Sequence, residues 1–437
     1  MSWVNYLKHT YAWCKIRHSI LGGEVMTQDR CRGCRDLIPD EMLKFRLAES
    51  VFIDTALKWG YEEVRTPVLE YLHLFTSTGT LTPGMLGQVY SFLDWDGWSG
   101  ERVVMRPDGT IPIARLVIDN LADRDVARLF YVINIFRFEN DPLINRERWQ
   151  CGAELIGGNS SLADAELLRM GLEVLELLGL NVRVNISHSG VIQAILAQLE
   201  PNSEVRHHIF DQILDGNQAV LSGLKDKHPG LMAGLELLLN VTGASAEYLA
   251  NIKSLFAYSE ELKKAADSFG DTLDMLDSLG IAYNIDLASG RGFEYYTGII
   301  FHFTVEGKAV GGGGRYDNLI GLMGGEPRPA AGYALYLDEI MNHIDISEYS
   351  LDEPDRFLIN FAPGDEARAF NVATDLRDAD YTAEIKMGDP NVQEYDWVLN
   401  ITDDGLLVLS DTETDEEFEF DSVDELIEML GGEASEE

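Results

Sequence analysis

Arg291-Gly292-Phe293-Glu294-Tyr295-Tyr296-Thr297-Gly298, and after it Gly311-Gly312-Gly313-Gly314-Arg315-Tyr316-Asp317, decide how this chain is read. The first stretch sets a guanidinium and two phenols around a glycine turn. The second runs through four glycines to an arginine, a tyrosine and an aspartate. A glycine cluster can cradle phosphate with its backbone N–H groups, but neither the Lys-Ser/Thr of a P-loop nor a dinucleotide GxGxxG follows here. Close approach of the backbone to a ligand or to a neighbouring strand is the better reading. Two further segments carry similar chemistry. In Arg106-Pro107-Asp108-Gly109-Thr110 a rigid proline and a glycine at a strand end present a carboxylate and a hydroxyl, although x-Pro-Asp-Gly alone is a common turn. Phe136-Arg137-Phe138-Glu139 is followed by Gln150-Cys151-Gly152-Ala153-Glu154, and in an extended chain Gln150 and Glu154 face the same side.

Outward from these segments the hydrophobic periodicity predicts an α+β chain. Phe45, Ala48, Phe52, Ala56 and Trp59 recur at helical spacing from Pro39 to Gly60, with Asp40 placed to cap the start and Gly60 to end the helix. Val64, Thr66 and Val68 alternate, and with Val103 to Arg106 and Phe130 to Phe138 they read as strands of a mostly antiparallel sheet. A helix at Ala163 to Leu178 and a strand at Val182 to Ile186 lead into a helical insertion over about 190–278, rich in Leu, Ala, Glu and Lys. The sheet resumes at Tyr283 to Asp286 and Tyr295 to Thr304, and a last helix is expected from about Gly332 to Asn342, closing a core over 26–350. Residues 355–432 read as a small α/β domain. Its strands are expected at Phe357 to Phe361, Ala383 to Lys386, Asp396 to Ile401, Leu406 to Ser410 and Glu417 to Phe420, its helices at Asp365 to Asp378 and Ser422 to Leu430.

Composition narrows the function classes. The 437 residues, 46% hydrophobic, suffice for a core of roughly 200 to 350 residues and a further small domain. Asp and Glu number 74 against 34 Lys and Arg, a net charge of −40 that repels phosphate backbones. Such acidity is equally a solubility or salt-adaptation trait. The C-terminal domain has no Lys or Arg after Lys386, so nucleic acid is not expected as its ligand. No apolar stretch is long enough to span a membrane. Cys31 and Cys34 form one CxxC, while Cys14 and Cys151 stand alone; this is no disulfide framework, and a reducing cytoplasm fits. A zinc site would need a second pair or histidines at finger spacing, which are absent nearby, so the pair reads as two small residues in a loop and no metal is expected. Residues 1–25, basic and aromatic, stand apart as an extension.

Arg32-Gly33-Cys34-Arg35-Asp36-Leu37-Ile38-Pro39 resembles the opening Arg-Gly-Thr-Arg-Asp-Leu-Leu-Pro of the histidyl-tRNA synthetase family, and Arg291 to Tyr296 resembles its histidine-specific Arg-Gly-Leu-Asp-Tyr-Tyr. Gly313 to Asp317 is similar to the family's second histidine-specific motif. The resemblance runs from Arg32 to about Asp421. It implies a class II aminoacyl-tRNA synthetase-like antiparallel sheet core with a helical insertion, plus a small C-terminal α/β anticodon-binding-like domain. It also implies a pocket for free histidine. There Asp108 and Thr110, helped by Gln150, hold the ammonium, Glu154 and Tyr296 read the imidazole, and Arg137 and Arg291 sit near the carboxylate, with Tyr295 and Tyr316 completing the wall.

The family's third motif runs Gly-x-Ala-x-Gly-x-Glu-Arg-Leu, and its arginine grips the phosphates of ATP. The matching stretch here, Gly332-Tyr333-Ala334-Leu335-Tyr336-Leu337-Asp338-Glu339-Ile340, has Glu339 where the arginine stands and Tyr336 in place of a glycine. An anion beside a triphosphate repels what a cation would clamp. In this respect, and in Gln150 to Gly157, the chain resembles the paralogues that serve as regulatory subunits of the short form of ATP phosphoribosyltransferase. This implies a non-catalytic, cofactor-free homodimer within a hetero-oligomer, partnered by the catalytic subunit, with free histidine as feedback effector of the first step of histidine biosynthesis. An active histidine-tRNA ligase with a divergent third motif, and a stand-alone histidine sensor, are the alternatives.

Overall fold

The computed structural model describes residues 30–77, 86–94, 100–139, 141, 144–158, 161–200, single positions between 202 and 229, 260–286, 296–349, 354–388, 390–402, 404–414 and 416–433. Two compact units divide between Ile346 and Ser347, a little before the boundary near Ser350 that the sequence suggested. No helix among the described residues is long and apolar enough to cross a membrane.

The first unit opens with α1 (Pro39–Lys58), which buries Phe45, Ala48, Phe52 and Ala56 along one stripe. Its N-cap is Ile38 rather than Asp40: Pro39 takes the first helical position, where its missing N–H costs nothing, and the Ile38 N–H donates to the Glu41 carboxylate at 3.2 Å. Asp40 lies in the first turn. Trp59 closes the helix and Gly60 follows at φ +80°, the left-handed conformation glycine adopts without strain. Val64, Thr66 and Val68 lie in no strand; β1 (Glu62–Glu63) just before them pairs with the strand that includes Leu129 and Phe130. Then come β2 (Leu69–Tyr71), α2 (Leu72–Thr76), β3 (Ser91–Leu93), β4 (Arg102–Met105) and α3 (Thr110–Asn120). The strand expected at Val103 to Arg106 is β4, but it belongs to a separate sheet of order β2-β4-β3.

The large sheet is built from β1, β5 (Ala127–Phe136), β6 (Glu147–Ile156), β7 (Arg183–His188), β8 (Tyr283–Ile285), β9 (Ile299–Val305), β10 (Lys308–Arg315) and β11 (Ala330–Tyr336). Its order is β1-β5-β6-β11-β10-β9-β7-β8. It is antiparallel at its centre, with parallel pairs at the two edges, β1 on β5 and β7 on β8. Three helices follow the strands: α4 (Ser161–Leu177), α5 (Ser189–Leu199) and α6 (Glu260–Ser278). The last two bracket the expected helical insertion, most of which lies outside the described residues. Short helices α7 (Leu319–Leu322) and α8 (Leu337–Ile340) flank β11.

One expectation fails at β11 and another is met at β10. The stretch from Gly332 to Asn342 is not one helix: its first part is the central strand β11 and only Leu337–Ile340 coils. The glycine run is the interior of β10, where glycine answers a neighbouring strand. A Cβ at Gly313 would lie 2.1 Å from the Gly332 carbonyl oxygen, and one at Gly314 would lie 2.4 Å from that of Ile299.

The sheet's two faces differ. Trp149, Cys151 and Ala153 on β6 and Tyr333 and Leu335 on β11 belong to the helix-covered side, where Phe45 of α1 meets Trp149 edge-on at 5.2 Å and Gly171 of α4 lies under the rings of Phe303 and Tyr333. The other side carries Tyr131, Gln150 and Glu154 beside the small residues Gly152, Gly332, Ala334, Gly312 and Gly314, which pair across four strands. α3 packs Ile111, Ile113, Ala114 and Val117 on the β5 end of this side, against Leu129, Tyr131, Ile133 and Ile135. A shallow trench floored by small residues is left beside it.

The second unit contains β12 (Arg356–Asn360), α9 (Glu366–Asp378), β13 (Thr382–Ile385), β14 (Trp397–Ile401), β15 (Leu407–Asp411), β16 (Glu417–Phe420) and α10 (Val423–Glu433). Each lies within two or three residues of its expected position. Strand order is β13-β12-β14-β15-β16, and both helices cover one face, packing Ala369, Val372, Leu376, Leu426 and Leu430 on Phe357, Ile359, Leu399 and Leu409.

A Cβ at Gly332 would sit 1.7 Å from Glu154 Oε2, whereas one at Gly270, inside α6, meets nothing within 4 Å. Urea denaturation of Gly332→Ala is expected to show a loss of about 1–3 kcal/mol from overpacking, and Gly270→Ala a gain of about 0.5–1 kcal/mol from helix propensity.

Candidate functional site

Arg106 sets the trench wall. Its buried guanidinium donates to the carbonyls of Thr66 at 2.8 Å, Pro67 at 3.1 Å and Asn134 at 2.7 Å, and to the Asn134 side chain at 2.9 Å. The end of β4 is thereby clamped to β5, and Pro107-Asp108-Gly109 must turn inward to start α3. The Ile111 N–H donates to Asp108 Oδ2 at 3.2 Å, and the N–H groups of Gly109 and Thr110 also serve that carboxylate, which sits at the positive end of the helix. Burial nevertheless pushes the Asp108 carboxyl above its ordinary value, with Arg137 pulling the other way.

Glu154 lies at the centre, 1% exposed. The Thr110 hydroxyl donates to Oε1 at 2.7 Å and the Tyr131 hydroxyl to the same oxygen at 3.2 Å, while the Tyr316 hydroxyl bonds to Oε2. Desolvation outweighs these three bonds and, with Asp108 nearby, raises the Glu154 carboxyl to about 8. Room for the group is made by glycines. A Cβ at Gly109 or Gly152 would strike the Tyr131 ring, 2.5 and 2.3 Å from its nearest atoms, as one at Gly332 would strike Glu154 itself.

Gln150 lies two sheet positions along the same face and is paired with Tyr336 on β11. Its side-chain Oε1 is buried and has no hydrogen-bond partner among the described residues. Arg137 donates from Nε to the Pro107 carbonyl at 2.8 Å and stands close enough to Asp108 and Tyr336 to affect both. Tyr296 lies against the position of Gly314 and beside Tyr316. Of the residues the sequence pointed to, the fold thus gathers Asp108, Thr110, Arg137, Gln150, Glu154, Tyr296 and Tyr316. Arg291 and Tyr295 lie outside the described residues.

Sequence reasoning missed Tyr131 and the strut behind Tyr316. Tyr131 sits in the apolar run of β5 and looks like core; the signal was the pair of glycines, Gly109 and Gly152, that its ring requires. Arg315 forms a buried ion pair with Asp164 at 2.7 Å and donates to Asp317 at 3.1 Å, holding the start of α4 to the end of β10. Burial raises Asp164 to about 6 despite that arginine. His188 caps α5 through Nδ1, which accepts from the Val191 N–H at 3.3 Å; burial and then Arg315 depress it to about 4, so the ring is neutral at pH 7.

The third-motif stretch ends on α8. Asp338 accepts the Trp149 N–H at 2.7 Å and pairs with Arg35 at 2.8 Å. Glu339 is half-buried, and its carboxylate has no ion-pair partner among the described residues. An acidic group thus stands at the position that matches the arginine of the family's third motif.

The histidyl-tRNA synthetase family model matches residues 33–340. A protein of Dehalococcoides mccartyi named ATP phosphoribosyltransferase regulatory subunit is 50% identical over 407 residues, 92% of this chain and 98% of that protein. A histidine–tRNA ligase of Methanosarcina acetivorans is 32% identical over 80% of this chain and 83% of its own. Among solved structures, an ATP phosphoribosyltransferase regulatory subunit/histidyl-tRNA synthetase of Bacillus halodurans superposes with a TM-score of 0.70 at 24% identity, covering 85% of this chain and 96% of that one, which bears on the fold alone.

Because the folded state holds Glu154 protonated, the stability this gives is present below the ordinary carboxyl value of 4.5 and is lost as pH rises through about 8. Unfolding free energies from urea titrations between pH 6 and 9.5 should fall for the native chain, by an amount on the order of a few kcal/mol. Glu154→Gln should remove most of that fall.

Proposed function

This chain belongs to the histidyl-tRNA synthetase family and, within it, to the ATP phosphoribosyltransferase regulatory subunits, and we propose that it senses free histidine in the trench and passes that signal to the catalytic subunit. The carrying observation is the buried Gln150 Oε1, an acceptor without a partner among the described residues, on the same face as the buried carboxyls of Asp108 and Glu154. Such a face calls for a ligand rich in N–H donors, because a buried acceptor left without one costs about 1–3 kcal/mol. Histidine supplies an ammonium and an imidazole N–H, and its carboxylate suits Arg137. The ammonium lies between Asp108, Thr110 and Gln150, and the imidazole faces Glu154 and the tyrosines.

The subunit works in the cytoplasm as a homodimer inside a hetero-oligomer with the short-form catalytic subunit. The small β2-β4-β3 sheet supports self-pairing: Leu69, Tyr71 and Phe92 remain 41–48% exposed on one of its faces. The chain forms no adenylate, in keeping with Glu339 and with a charge of −40 that disfavours tRNA. By reciprocity, histidine weakens the activating contact as far as that contact weakens histidine.

The purified chain mixed with a short-form catalytic subunit should restore ATP phosphoribosylation from phosphoribosyl pyrophosphate, and histidine should suppress it. Gln150→Leu should raise the histidine needed by about ten- to a hundredfold, the equivalent of 1–3 kcal/mol, while leaving activation intact. No dependence on this chain, or histidine-dependent exchange of pyrophosphate into ATP, would overturn the proposal in favour of a sensor with another partner or a ligase.

A further inference from the structure

The CxxC at the start of the first unit sets two thiols side by side. Cys31 is exposed and Cys34 half-buried, and both are free thiols within hydrogen-bonding reach of each other. A tight turn brings them together: the Cys34 N–H donates to the Cys31 carbonyl at 3.0 Å, with Gly33 at φ +77°. A turn closed in this way keeps the ends within the span a disulfide bridges. The turn is also pinned from below. The Arg146 N–H donates to the Gly33 carbonyl at 2.7 Å, and a Cβ at Gly33 would lie 2.5 Å from Arg146 Cγ, so only glycine fits. Arg146 in turn stacks on Phe138 at 4.2 Å. The family opening that this stretch resembles has threonine where Cys34 stands, so the thiol is not required by the fold.

We propose that Cys31 and Cys34 form a redox-active dithiol that closes to a disulfide by exchange with a small-molecule or protein disulfide, and that its state is relayed to β6 through Arg35. In the exchange the Cys31 thiolate attacks one sulfur of the incoming disulfide and expels the first thiol. Cys34 then attacks Cys31 in the mixed disulfide and expels the second. Two electrons and two protons pass to the incoming disulfide, which leaves as two thiols. The assignment of attacker follows from access: Cys31 faces solvent, and burial raises the Cys34 thiol, next to Cys31 and Glu147. The relay is short. Arg35, adjacent to Cys34, pairs with Asp338, whose other oxygen accepts the Trp149 N–H, one residue before Gln150.

The full chain would be equilibrated across reduced-to-oxidised glutathione ratios, alkylated natively and read by mass spectrometry, with amide exchange at Trp149 followed in parallel. The expected result is joint loss of alkylation at Cys31 and Cys34 with a mass lower by two hydrogens. Cys31→Ser should abolish that change, and Trp149 exchange should shift at least threefold between the two forms of the native chain. Alkylatable thiols at both positions throughout, or glutathione adducts alone, would overturn the site. A disulfide with unchanged Trp149 exchange would overturn the relay. None of these readouts depends on histidine binding.

Discussion

Burying the Glu154 carboxyl in the middle of a sheet is the constraint from which the rest of the site follows. A carboxyl removed from water is costly unless its oxygens are satisfied and its charge is neutralised or lost. Here three hydroxyls from three different parts of the chain, Thr110 at the start of α3, Tyr131 on β5 and Tyr316 after β10, converge on it. The tyrosines are long, and the strands they come from lie close, so backbone must yield where side chains cannot. Gly109, Gly152 and Gly332 are that concession. The trench between β6 and β10 is thus floored by small residues, and helices α1 and α4 lie on the opposite face of the sheet.

The same arrangement explains why binding and nucleotide chemistry can separate on one scaffold. The β5-β6 end gathers Asp108, Gln150, Glu154 and Arg137, the side chains on which the proposed recognition of histidine rests. Phosphate handling would use the end of β11 and α8, and there the sequence places Tyr336 and Glu339. Tyr336 is paired with Gln150 and sits under the influence of Arg137, Arg148 and Asp108, so it links the β5-β6 end to the end of β11. The ion pair of Arg35 with Asp338 links this region to the N-terminal segment as well.

Much of the fold was legible because local signals agreed. α1 and α4 carry an apolar stripe with a defined stop, and the small C-terminal unit alternates strand and helix patterns at short intervals, so each element announced itself within a few residues. Gln150 and Glu154 on one face followed from the period of a strand alone. The stretch Ala330 to Tyr336 gave no such agreement. Its small and aromatic residues suit a helix as well as a strand, and what makes it a strand is pairing with β6 and β10, whose residues are far away in the chain. β4 was recognised as a strand but not assigned to its own three-stranded sheet, because alternation says nothing about partners.

For the site, the residue types, their order and the reversed charge at Glu339 were determined by the sequence, since charge and hydrogen-bonding capacity are properties of the side chains themselves. Tertiary structure alone decided that Tyr131, set in an apolar run, turns its hydroxyl to Glu154, that Arg315 is spent on Asp164, and that Gln150 keeps a buried oxygen without a partner among the described residues. These depend on which strands lie side by side and on how much water is shut out between them, and neither quantity is local to any stretch of sequence.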